Sequence, residues 1–264
     1  MICDWNNPSS TPFLLTTYAL LCVLRAFVVK PFLNSMTHSL HQLEVLFEDN
    51  HLLVVNKPAM LPTMGVAESA PSLLKVAKEY IREKYNKPGN VYLGIVSRLD
   101  TPVTGVTLIA RTSKAAARLS EAFRERRVKK FYWGVVEGML PEVSGTLEHF
   151  LRKDERHRKM HVTHATCPDA QWAVLHYRVL KHDLRRTLLE IDLETGRKHQ
   201  IRVQLSKLGF PILGDQKYGS PSKFPAGIAL HARQLTVAHP VRDEEVTFHA
   251  PVPSAWREAV GMLL

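Results

Sequence analysis

Two short apolar runs bracket a charged triplet, and that arrangement limits the folds open to this chain more than any other feature. Residues 91–96 are largely apolar, Arg98-Leu99-Asp100 interrupts them, Thr101-Pro102 turns the chain, and Gly105 opens a second apolar run at 106–110. Runs this short, bounded by turn-formers, predict strands. The pattern is strand, charged loop, strand, with one carboxylate held where two strands meet. A lone aspartate in such a loop is most often a turn or capping residue. A larger role for Asp100 therefore needs support from elsewhere in the chain.

The chain has 264 residues and 45% hydrophobic content, enough for one large domain or two intimate subdomains. With 13 Gly and 16 Pro the composition is that of an ordinary globular protein. The net charge of +10 is not ordinary. It favours a polyanionic partner, most simply nucleic acid, with an anionic membrane as the competitor that bulk charge does not exclude. Cys3, Cys22 and Cys167 are odd in number and widely spaced, which fits a reducing, cytoplasmic setting.

Residues 1–42 read as an N-terminal extension to a domain at 43–264. The longest uncharged run, 13–24, is too short to span a bilayer unaided, and Asp4 spoils a signal-peptide start. Three readings of residues 1–35 stay open: a start-site extension ahead of Met36, an anchor or signal, or a genuine arm. From 43 onward, residues 43–48 and 52–56 predict two strands joined at Asp49-Asn50. Ser72 is expected to cap a helix running to Tyr85, and Ser113 to cap another with Ala116, Leu119 and Ala122 inward.

That second helix ends in a dense basic run, Arg124 to Lys130, within which Arg126, Arg127, Lys129 and Lys130 are candidate phosphate contacts. The following strand, 131–137, alternates so that Tyr132 faces away from Phe131 and Trp133, as a second core face or a stacking platform for a base. His157, His161, His164 and Cys167 invite a zinc reading, which the crowd of neighbouring cations opposes; an edge strand in a basic flap is the better account. Further on, 171–180 and 186–193 predict strands, and Thr195-Gly196 then leads into a helix with Ile201, Leu205 and Leu208 buried and Gly209 as its stop. Arg197, Lys198 and His199 at that helix start oppose the macrodipole, so an anionic partner is expected, either a protein carboxylate or a phosphate. Strands at 228–237 and 245–248 and a short helix from Pro253-Ser254 complete the reading.

In order along residues 43–252, the chain resembles the RluA-type RNA pseudouridine synthases. The resemblance runs through Asn56-Lys57-Pro58, Arg98-Leu99-Asp100, Lys130-Phe131-Tyr132, Thr195-Gly196-Arg197-Lys198-His199-Gln200-Ile201-Arg202, Gly214-Asp215-Gln216-Lys217-Tyr218-Gly219, and Leu230-His231-Ala232 with His239-Pro240. It implies an α+β pseudouridine synthase fold: a mixed, mostly antiparallel sheet in two halves, flanking helices and a central cleft. No S4-type RNA-binding module is apparent at 1–42. The resemblance makes Asp100 the catalytic aspartate, Arg202 its basic partner, Tyr132 the residue packed on the target uridine and Arg98 the arginine inserted into the RNA stack. Two departures stand out. Ser97 replaces the family's usual His, and Thr101-Pro102-Val103-Thr104 replaces a more polar turn.

The implied activity is isomerisation of uridine in ribosomal or transfer RNA by a monomer, with no cofactor, no metal and no membrane. That chemistry needs Asp100 ionised in a dry pocket, where burial alone would neutralise it, and an arginine held against it restores the charge. A non-catalytic RNA-binding factor on the same scaffold is the rival reading. A glycosidase is weaker, because Asp100 lacks an obvious second carboxylate.

Overall fold

A computed structural model of the protein describes residues 43–264, so the readings offered for residues 1–42 lie outside the described residues. Strand β1 (Glu44–Glu48) pairs antiparallel with β2 (Leu52–Lys57), and the turn between them is closed by the Asp49 carboxylate, which accepts the N–H groups of His51 and Leu52. Every residue of β2 is buried. Leu52 and Val54 face α2 (Ser113–Arg124), packing with Leu108 and Leu119, while Leu53 and Val55 face α1 (Leu73–Lys84), packing with Ala77 and Ile81. Burial on both faces explains why this strand is a continuous apolar run and does not alternate.

Ser72 caps α1 by accepting the Lys75 N–H, as the sequence predicts. The cap of α2 is Thr112, which accepts the Ala115 N–H, and Ser113 is the first helical residue. The Thr hydroxyl does the same work one position earlier.

The strand predicted across 91–96 shrinks to two residues, β3 (Gly94–Ile95), paired with the end of β4 (Thr104–Ala110). The cause is the extent of its partner. In this register residues 91–93 fall beyond Ala110, where β4 ends, and the next N–H of β4 on that edge, Leu108, goes to the Ser97 side chain; farther along the same edge β10 (Leu230–Ala238) pairs with Thr104 and Gly105, while β2 takes the other side. The remaining strands are β5 (Lys129–Glu137), β6 (Ser144–Asp154), β7 (Lys159–Thr163), β8 (Gln171–His182), β9 (Arg186–Leu193) and β11 (Glu245–His249). The sheet runs β1-β2-β4-β10-β5-β9-β8-β6-β7, with β11 added to β10, and β7 is the edge strand anticipated for that segment.

All pairings are antiparallel except β4 with β10, so the expected two halves are arms of one continuous mixed sheet joined at that parallel contact. Gly105 makes the join possible. Its φ of +115° is left-handed, and a Cβ there would run into the Ala232 backbone. One arm packs β2 and β4 between α1 and α2. The other buries Val135, Leu189 and Ile191 with Ile201 and Leu205 of α3 (Gln200–Lys207) and Trp256 of α4 (Ser254–Val260). Leu208, predicted in the buried stripe of α3, is exposed, because the helix ends at Lys207 and Leu208 is already its C-terminal cap, ahead of Gly209 at φ +96°. No helix among the described residues is long and apolar enough to cross a membrane.

Candidate active site

Asp100 lies in the loop between β3 and β4, at the junction of the two arms, and its backbone neighbours are fixed from below. The Thr63 hydroxyl donates to the Leu99 carbonyl at 2.8 Å and accepts the Leu99 N–H at 3.2 Å. The ammonium of Lys57, fully buried at the end of β2, donates to the carbonyls of Pro58 and Leu61, each at 2.8 Å, and of Thr101 at 3.2 Å. Burial pushes that ammonium down to about 7, against the pull of Asp100. The loop is thus held at Leu99 and at Thr101, on either side of the carboxylate. Ser97 has a comparable task, accepting the Leu108 N–H at 3.2 Å and tying the loop's start to β4.

From the other arm, α3 brings Arg202. Its Nη1 donates to Asp100 Oδ2 at 3.0 Å, while Nε and Nη2 form a fork onto Asp215 Oδ2 and Oδ1 at 2.6 and 2.9 Å. Burial opposes the guanidinium's charge, yet its bonds to Asp215 and Asp100 drive its pKa upward, so it stays a cation. His199, at the start of α3 with a left-handed φ of +52°, puts Nε2 3.7 Å from the same Oδ2. Both contacts use Oδ2, and Oδ1 makes no hydrogen bond among the described residues. An ionised carboxylate with one oxygen anchored and the other open suits attack on carbon or proton abstraction.

The cleft around Asp100 is lined by Arg98, Tyr132, Arg197, His199 and Arg202 together with Leu99, Val103, Ile201 and Leu230. Six of the residues singled out from sequence therefore converge: Asp100, Arg202, Tyr132, Arg98, Arg197 and His199. Burial, and then the nearby Asp100, push the Tyr132 phenol upward, so it is a neutral wall and a poor acid. Arg98 is exposed at the mouth and forms no ion pair among the described residues. Arg197 is steadied by its Nε bond to the Trp172 carbonyl at 3.0 Å, and Lys198 beside it is exposed.

The basic run after α2 is less unified. Arg126 bonds Glu194 at 3.2 Å and lies over the Trp172 ring, within reach of the cleft's rim. The half-buried Lys130 lies beside Gly196, and burial lowers its pKa. Arg127 pairs with Glu125 and Lys129 with Glu245 of β11, and neither lines the cleft. Among the described residues no three His, Cys, Asp or Glu side chains gather as a metal would require, and His157 bonds Asp154 of its own hairpin.

Sequence reasoning missed Asp215, Lys57 and Thr63 as site residues. The cations at the start of α3 were a signal for a protein carboxylate nearby, but Asp215 sits in a turn-rich segment after the helix and read as a turn residue. Lys57 read as a strand end. Nothing in sequence marks a lysine that spends its protons on three backbone carbonyls.

With the geometry in hand, comparison with known proteins is specific. Residues 51–207 match the profile of the RNA pseudouridylate synthase family. An uncharacterised RNA pseudouridine synthase of Bacillus subtilis is 35% identical over 216 residues, covering 81% of this chain and 70% of the relative. The ribosomal large subunit pseudouridine synthase D of Xanthomonas campestris is 36% identical over 252 residues, covering 89% and 74%. Among solved structures, human RNA pseudouridylate synthase domain containing 4 superposes with a TM-score of 0.70 at 29% identity, covering 83% of this chain and 92% of that one.

Proposed function

This chain belongs to the RNA pseudouridine synthase family of isomerases, and we propose that it converts specific uridines of ribosomal or transfer RNA to pseudouridine through Asp100. In that reaction the N1–C1′ bond breaks, the uracil turns while bound, a C5–C1′ bond forms, the C5 proton leaves to solvent and N1 takes up a proton in its place. Atoms balance without an outside group or a redox step. The observation that carries the reading is the Arg202–Asp100 ion pair at 3.0 Å, with the guanidinium itself anchored on Asp215. It holds the carboxylate in place in a partly enclosed cleft, where it either attacks C1′ or takes a proton from C2′.

The other residues have supporting parts in this reading. A uridine must leave its stack at a cost of a few kcal/mol. The exposed guanidinium of Arg98, without an ion pair among the described residues, suits the vacated space, since it stacks on bases and bonds their edges. Tyr132 walls the pocket, and Arg197 with Lys198 meets phosphates. We take residues 43–264 as the catalytic unit and the cytoplasm as its setting. The ribosomal arm comes first in the test because the Xanthomonas relative is named for the large ribosomal subunit.

The test is tritium release from 5-³H-uridine-labelled ribosomal and transfer RNA of cells lacking the gene. The parent protein is expected to release tritium, and Asp100→Asn to lose at least about a thousandfold in rate. Residual release by Asp100→Asn near the parent's rate would remove Asp100 from the chemistry.

A further inference from the structure

Tyr218 is buried at the end of the 3-10 turn Gln216–Tyr218, where three parts of the protein meet. Its ring stands edge-on to His199, 5.7 Å between centroids, and the Arg202 guanidinium lies 5.0 Å over it. Its hydroxyl accepts the N–H of Met160, in edge strand β7, at 2.9 Å, and lies 2.8 Å from Nδ1 of His199. A second tie joins the same turn to the β6–β7 hairpin, from Lys217 Nζ to the Arg158 carbonyl at 2.7 Å.

One set of protons leaves no group in this network unsatisfied. The Met160 N–H donates to the tyrosine oxygen, and among the described residues the tyrosine proton has no acceptor other than Nδ1 of His199. Burial, with Arg202 and Lys198 adding to it against the pull of Asp100, lowers His199 to about 4, so the ring is neutral at ordinary pH. A neutral imidazole that accepts at Nδ1 carries its proton on Nε2, the atom 3.7 Å from Asp100 Oδ2. The opposite tautomer would turn a lone pair toward the carboxylate.

We propose that Tyr218 and His199 are positioning residues: the tyrosine hydroxyl fixes the histidine tautomer that offers an N–H to Asp100, and it ties that tautomer to the β6–β7 hairpin. This rests on the role proposed for Asp100. It also gives His199 a different task from the RNA contact expected of it on sequence. RNA seated on the hairpin and RNA in the cleft are then sensed by one set of bonds. Contacts of this kind are commonly long in the free enzyme and tighten when substrate closes the site.

Two measurements test it. In ¹⁵N-histidine-labelled full-length protein without RNA, the ring nitrogens of His199 are expected to report the Nε2–H form, and Tyr218→Phe to give a mixture. The groups facing His199 that shape its titration are Asp100 from the β3–β4 loop, Arg202 of α3, Lys198, and Lys217 and Tyr218 of the turn. In the tritium assay on bulk labelled ribosomal and transfer RNA, Tyr218→Phe is expected to lower kcat about tenfold and leave KM within about twofold. His199→Gln, which keeps an N–H donor, should retain more kcat than His199→Ala, and adding Tyr218→Phe to His199→Ala should cost little more. An unchanged tautomer in Tyr218→Phe, an effect confined to KM, or fully additive losses would overturn the proposal. If Tyr218→Phe does not fold, equal kcat in His199→Gln and His199→Ala overturns it instead. Asp100→Asn runs alongside: activity there removes the Asp100 reading, whereas the tautomer result stands or falls by itself.

Discussion

The cleft and its outer rim use the same cation, arginine, in opposite ways. In the cleft, Arg202 is 6% exposed at its side chain and holds two carboxylates with three hydrogen bonds. On the rim, Arg126 bonds a single oxygen of Glu194, and the two side chains are 45% and 39% exposed. Away from water the ion pair fixes geometry and protonation together, and removing one partner strands the other. In water the same pair is screened and rearranges freely. On the function proposed above, chemistry belongs to the first region and adjustable affinity for a polyanion to the second.

The largest effect that sharpens this contrast is Arg202→Met. It leaves Asp215 buried and uncompensated, and Asp100 without its cation, at an expected cost of about 3–5 kcal/mol in urea unfolding. Tritium release, measured where the variant is still folded, should fall at least about a hundredfold. Should Arg126→Ala cost as much in either measurement, the division between cleft and rim fails.

Acid should expose the interior next. Burial holds both His199 and His231 down to about 4, against an ordinary value of 6.5. Between pH 6.5 and 4 the unfolded chain therefore binds protons that the folded chain refuses, so stability falls as pH drops through that window and is unaffected by these groups above it. His231 is held between the Thr104 hydroxyl at 2.8 Å and the Ala250 carbonyl at 3.3 Å, and Gln can serve both. His231→Gln should lose less stability between pH 7 and pH 5 than the parent, as read from denaturation midpoints. An equal loss would mean that His231 is not among the titrating groups.

How much of this was legible in the sequence follows the same line. Local signals were sufficient where the physics is local: Ser72 capping α1, the Asp49 turn, the apolar run of β2, and the strand that presents Tyr132. The ordered motifs were enough to bring Asp100 and Arg202 to one cleft across about a hundred residues. What sequence could not supply was competition and sharing. The strand at 91–96 keeps only two residues because its partner β4 ends at Ala110 and the Ser97 side chain takes the next free N–H, that of Leu108. Asp215 looked like a turn residue because its partner is chosen by the return of the chain after α3. Lys57 and Thr63 act on backbone carbonyls, which any sequence offers everywhere.

The smallest effects lie away from the cleft, farther along the basic run that carries Arg126, and decide what its charges are for. Lys129 and Glu245 are 66% and 60% exposed and 3.6 Å apart. Losing that pair should change stability by less than about 0.5 kcal/mol. Lys129→Ala matters for RNA only if phosphate displaces Glu245 in the complex. In that event the slope of log affinity against log salt, measured with bulk ribosomal RNA, shrinks by about one. Glu245→Gln then leaves the slope close to the parent's and raises affinity slightly at low salt, because the lysine no longer has to give up a partner. If Lys129→Ala leaves the slope untouched, the lysine stays with its glutamate and the rim's contribution rests on Arg126 and the residues nearer the cleft.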